Sequence, residues 1–338
     1  MKHRKFVVTS TVLMFFVTGI VAGLAVYSTV VVKASIPGLP EAVAYLPPDS
    51  QAVFGMNVKK FIDSPMYARL QAKQGDQIGK DLQDFIAKTG VDPRKDISYI
   101  IAAGRSADGK KGTGVVIAQG TFNATAITNF INTQFTPIRV DYPGAVVLMI
   151  PEKDGSSVDK GIAFMSDNEI ALGEIGALKE VLDIRKDGKP GVLDNPTLGP
   201  LIRTLNPEEM FWFAGDPTNV LAKAPANTPL GGNLTAIVNV FGTLNITTEV
   251  AGTITVTAKD AVSAGKLADV AKGLLALGSL ASDQNPDLAQ LLAGVKIEQI
   301  QNTSTRANDQ IRLRINFPID LLDKLQQMKP AAAMKKVA

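Results

Sequence analysis

Chemistry in this chain must come from carboxylates, hydroxyls, lysines and arginines, because it contains no cysteine and a single histidine, His3. Thiolate nucleophiles, Cys-ligated zinc, iron–sulfur centres and disulfides are excluded, and beyond the first few residues there is no imidazole for a triad, a proton shuttle or a metal ligand. A carboxylate hydrolase needs two acids held at a fixed separation across a cleft. The best candidates are Glu208 and Glu209, which precede the aromatic run Met210-Phe211-Trp212-Phe213. Adjacent residues usually point in different directions, so the pair reads more simply as a turn leading into a buried strand that carries the only tryptophan.

Two other groupings resemble ligand sites. Gly104-Arg105-Ser106-Ala107-Asp108-Gly109-Lys110-Lys111 matches G-x-x-x-x-G-K, but Lys111 stands where a phosphate loop has Ser or Thr, and a strand rather than a helix is expected next. Without a helix N-terminus facing the phosphates the motif loses its mechanism and reads as a hairpin turn. Asp154, Asp159, Asp167 and Glu169 cluster in polar turns without the spacing of a calcium loop. Asn123, Asn233, Asn245 and Asn302 open glycosylation sequons, expected to go unmodified in a bacterial protein. No catalytic, cofactor-binding or metal-binding residue is assigned, and no cofactor is expected.

The elements that position these residues begin with an apolar run. Phe6 to Val32 contains 27 residues without a charge, against roughly 20 needed to cross a bilayer core. Lys2, Arg4 and Lys5 precede it, so the positive-inside bias puts the N-terminus in the cytoplasm and the rest outside, as a single-pass protein on the periplasmic side of the inner membrane. The alternative is a signal peptide cleaved near Ala25 or Ala34, with secretion of the remainder. Gly19 and Gly23 form a G-x-x-x-G pair that could mark a dimer face, against a solitary span.

Charge outside this segment is modest. Of 35 basic residues, four lie in residues 1–33 and three in the tail at Lys329, Lys335 and Lys336, which leaves 28 against 32 acids between them. No nucleic-acid-binding face is implied.

Residues 34–50 hold four prolines and a glycine and read as a semi-rigid linker. Strand-like and helix-like runs then alternate. Ser64-Pro65 opens a helix through Leu70, and a second helix from about Lys80 ends at Gly90. Ile97 to Ala103 and Gly114 to Phe122 read as a hairpin, and Asn123 caps a helix bearing Ile127, Phe130 and Ile131. Strands near 139–141, 145–150, 161–166 and 169–173 precede a helix from Ile175 to Arg185. Ser64-Pro65, Asn195-Pro196 and Asn285-Pro286 each open a [SN]-P-x-(L/Y)-x-x-L pattern. Longer echoes link Gly114–Ile131 with Gly252–Leu274, and Gly161–Leu182 with Val295–Leu325.

These echoes predict an α+β protein in which an N-terminal transmembrane helix is followed by two related lobes of mainly antiparallel sheet with packed helices. The expected division is 1–33 tail and anchor helix, 34–50 linker, 51–190 first lobe, 191–328 second lobe and 329–338 flexible basic tail. Leu46-Pro-Pro-Asp-Ser50, Ser64-Pro-x-Tyr67, Val91-Asp-Pro-Arg-Lys-Asp96 and Gly120-x-Phe122 resemble features of uncharacterised bacterial envelope proteins. That resemblance implies an extracytoplasmic setting and no activity.

Ala261 to Leu280, rich in alanine, leucine and glycine, is either a core helix against a sheet or the lip of a site for a lipid-like ligand. The expected function is a membrane-anchored extracytoplasmic binding or interaction protein, holding the bilayer through residues 6–32 and a protein partner or an apolar ligand through its outer domain. An accessory subunit of a membrane complex and a carboxylate hydrolase are the alternatives.

Overall fold

The computed structural model describes residues 39–105, 112–151, 160–222, 231–281, 285–302 and 305–321. The expected membrane span, its glycine pair, the basic tail, Asp154 and Asp159 lie outside these residues. Among the described residues no helix is long and apolar enough to cross a membrane.

The protein is α+β, built on one antiparallel sheet of twelve strands. The strands are β1 (Ala52–Asn57), β2 (Ile97–Arg105), β3 (Thr113–Gly120), β4 (Ile138–Tyr142), β5 (Ala145–Ile150), β6 (Lys160–Ser166), β7 (Glu169–Glu174), β8 (Phe211–Gly215), β9 (Ile237–Ile246), β10 (Glu249–Ala258), β11 (Val295–Ile300) and β12 (Gln310–Pro318). Their order in the sheet is β11-β12-β10-β9-β8-β1-β2-β3-β7-β6-β5-β4. The helices are α1 (Val58–Ile62), α2 (Pro65–Thr89), α3 (Pro93–Asp96), α4 (Ala124–Gln134), α5 (Ile175–Asp187), α6 (Leu198–Ile202), α7 (Thr218–Leu221), α8 (Ala261–Ala281) and α9 (Pro286–Ala293).

The two expected lobes share this sheet and are not separate bodies. β1 pairs with β8 through a register centred on Phe54 opposite Phe213, so backbone hydrogen bonds run unbroken from one half of the chain to the other. Each half repeats one order about that pair. β1-β2-β3-β7-β6 on one side matches β8-β9-β10-β12-β11 on the other, with β4 and β5 added outside the first. The sequence echoes fall on β3–α4 and β10–α8, and on β6–β7 and β11–β12.

Helix boundaries follow local chemistry. Ser64 accepts from the Tyr67 N–H at the start of α2, Asn123 from Ala126 at the start of α4, and Asn285 from Leu288 at the start of α9. Asn195 accepts from both Thr197 and Leu198 as α6 begins. The two helices expected between 64 and 90 are one, ending at Gly90 in the left-handed conformation, φ 69°.

The linker expected at 34–50 also needs correction. Residues 41–45 form a 3₁₀ turn in which Ala42 and Val43 are sealed, as is Leu46 just after it. The Leu46 carbonyl accepts from the Val192 N–H. This segment belongs to the core, where it packs with α5 and α6 against one face of the sheet. On the other face α1, α2 and α4 cover the first half, with Phe85 of α2 edge-on to Phe130 of α4 at 5.8 Å.

Candidate functional site

Opposed residues in an antiparallel pair share a face, so the register can be followed across the whole sheet. One row runs Leu148, Ile162, Leu172, Val116, Ala102, Phe54, Phe213, Gly242, Ile254, Leu313, Ile297. In the first half it is covered by α4, and Leu148, Ile162, Val116 and Ala102 are buried, with Leu172 and Phe54 half-buried. In the second half the matching helix is α8. Its start is fixed to this face by Gln299, opposite Ile311 on β12, whose amide donates to the Ala261 carbonyl at 3.0 Å.

The cover there is incomplete. Ile254, Val256, Leu244, Ile297, Leu313 and Ile315 are only half-buried, although β10 and β12 lie inside the sheet. The first half of α8 buries Ala264, Leu267 and Ala268, but none of Ala271 to Ser279 is buried, and Leu277 is 64% exposed. Near its end Gly278 approaches Leu292 of α9, where an added Cβ would sit 3.1 Å from a leucine methyl. α9 has no buried residue, and its Leu291 packs against the buried cluster that includes Ile246, Val250 and Phe317. The result is an apolar sheet surface roofed loosely by an apolar helix pair. The stretch Ala261 to Leu280 is thus core at its first end and largely uncovered beyond it. The sheet residues of this layer carried no distinguishing mark in the sequence, because alternation gives a strand its apolar face but not the tightness of what covers it.

The carboxylates singled out in the sequence do not face one another. Glu208 meets Lys60, whose ammonium lies 3.9 Å from its carboxylate and also donates to its carbonyl. Glu209 accepts from Asn245, and the same asparagine accepts from the Met210 N–H at 2.8 Å. Both acids fasten the turn into β8. Trp212 is fully buried; its indole N–H donates to the Tyr99 hydroxyl, which donates to the Pro207 carbonyl at 3.1 Å. Burial drives the Tyr99 pKa well above the ordinary range, so this chain of donors stays neutral and fixed.

Gly104 and Arg105 end β2, and the next described element is its antiparallel partner β3, a strand and not a helix; residues 106–111 lie outside the described ones. Arg105 is held by Asp49 and by Glu180 at 3.0 Å. Glu169 accepts from Gln119 at 2.8 Å, and the Asp167 carbonyl accepts from Phe122. Among the described residues no group of three acids or histidines is placed to hold a metal ion.

The class is therefore an α+β protein with a single open antiparallel sheet and helices on both faces. No described protein family matches the chain, and no curated protein is significantly similar in sequence. Among solved structures it is similar to TP0453. Crystal form I gives a TM-score of 0.42 at 8% identity, covering 86% of this chain and 97% of that one. Crystal form IV gives 0.43 at 10%, covering 90% and 99%.

Proposed function

We propose that this is a membrane-anchored, extracytoplasmic binding protein of the bacterial envelope whose ligand is an apolar, acyl-chain-like molecule held between α8–α9 and the β9–β12 face. The observation that carries the reading is the contrast between the two halves: one layout of strands and helix is sealed under α4 and left loose under α8. Protein interiors pack to crystal-like density, so a half-covered apolar layer inside a folded domain is a place where a ligand's methylenes gain contacts that the protein does not supply itself. Anchoring through residues 6–32 would keep such a site beside a source of lipid. A second reading, docking of a protein partner in a membrane complex, is favoured by Val262 and Leu277, which stand out from α8 at 67% and 64% exposure.

The test is purification of the full-length chain from its native membrane in mild detergent, with mass spectrometry of retained lipids and proteins, for the wild type and for Val256→Phe. A lipid retained by the wild type and lost from a folded Val256→Phe supports the first reading. A stoichiometric protein and no lipid replaces it with the second. Val256→Phe should cost less than 1 kcal/mol of stability, whereas Val116→Phe in the sealed layer should cost about 1–3 kcal/mol.

A further inference from the structure

The opposite face of the same strands has a different composition. A row that begins Val115, Ala103, Val53, Ala214, Phe241 continues as Thr255, Arg312, Glu298. The rows beside it continue as Asn239, Thr257, Gln310, Ile300 and as Thr243, Thr253, Arg314, Lys296. An apolar face thus turns polar from β10 outward. Cross-strand partners could have neutralised it, but they do so unevenly. Glu298, directly opposite Arg312, instead accepts from Arg314 Nε at 2.9 Å. Gln310 donates to Thr257 at 3.1 Å.

Arg312 is left over. It makes no hydrogen bond or ion pair with any described residue, and its Nε is buried without a partner. Beside it Thr255 is 0% exposed, with its hydroxyl unpartnered, and Asn239 is 8% exposed with its side-chain oxygen unpartnered. Buried polar groups are almost always hydrogen-bonded, and a half-buried guanidinium without an acceptor is costly to keep. Burial first, and then the Arg314 charge, weigh against the charged form of Arg312, and the Glu298 charge only partly offsets them. With Arg314 and Lys296 on the adjoining row, the patch holds three cations against the single carboxylate of Glu298.

We propose that this shelf is an oxyanion site, in which a carboxylate or phosphate group is gripped by the Arg312 guanidinium, with Arg314 and Lys296 at the rim. A planar fork of N–H donors is suited to an acceptor with two or more oxygens. The site lies on the other side of the sheet from the apolar layer and stands independently of it.

The test uses the full-length protein in neutral detergent, with unfolding followed by the fluorescence of Trp212. Sodium phosphate should raise the unfolding temperature more than sodium chloride at equal ionic strength, and Arg312→Gln should abolish the difference. Arg312→Lys, which keeps the charge but loses the fork, should retain only part of it. If phosphate has no effect but micelles doped with phosphatidylglycerol stabilise the wild type and not Arg312→Gln, the oxyanion is a lipid headgroup. An equal shift in Arg312→Gln, or none with either probe, overturns the site. Without ligand, Arg312→Met should unfold no earlier than the wild type; a large loss there would make Arg312 a structural residue and also overturn the proposal.

Discussion

At the residue scale, Gly55 is tightly constrained. A Cβ built there would lie 2.0 Å from Trp212 Cε2, because the indole lies across the neighbouring strand in the same row. Gly55→Ala therefore forces the ring and its Tyr99 hydrogen bond apart, and should lower stability by about 2–3 kcal/mol. A shift of the urea midpoint, accompanied by a red shift of the lone tryptophan's emission, checks it; an unchanged midpoint would show that the ring adjusts freely. Composition made Trp212 recognisable as a buried strand residue. Its partner was not recognisable, because Tyr99 is 113 positions away and one chain carries no record of register. The same limit hid Arg312. In the sequence, Arg312 and Arg314 are alternate residues of an amphipathic strand, and only the cross-strand neighbours reveal that one is paired and the other is not.

At the element scale, local punctuation carried most of the information. Ser64, Asn123 and Asn285 each cap the helix expected of them, since an N-cap interaction spans only three residues and needs no tertiary contact. The error at α2 has the same root. Gly75 and Gly79 lie inside α2, but each glycine costs only about 1 kcal/mol in a helix, while restarting a helix carries a nucleation cost and strands new backbone groups. With a cap at Ser64, a left-handed Gly90 and no internal proline, one helix of 25 residues results. Asn285→Ala tests how far the loose roof depends on its cap. Losing the bond to Leu288 should cost about 1 kcal/mol. Because α9 has no buried residue to hold it otherwise, the loss should appear as faster amide exchange across 286–293 and not as a fall in the global midpoint. Exchange left unchanged there would mean that Leu291 anchors the helix alone.

At the scale of the whole molecule, the pairing of β1 with β8 makes the two halves interdependent. Each would leave a strand at the centre of the sheet without its neighbour, so the chain should unfold as one unit, with tryptophan fluorescence and far-ultraviolet circular dichroism tracing the same denaturant curve. Two separated transitions would restore the picture of independent lobes. The antiparallel character of the sheet was legible from its hairpins. Its continuity was not, because the link between β1 and β8 joins residues about 160 positions apart, and no turn announces it. A sheet of twelve strands that does not close has two ends, and at each the backbone offers donors and acceptors to any passing strand. Those ends are β4 and β11, which carry Arg139 and Asp141 at one and Lys296 and Glu298 at the other. Wherever copies are concentrated and meet often, these four charges stand between a population of separate molecules and a ribbon that grows by one molecule at a time.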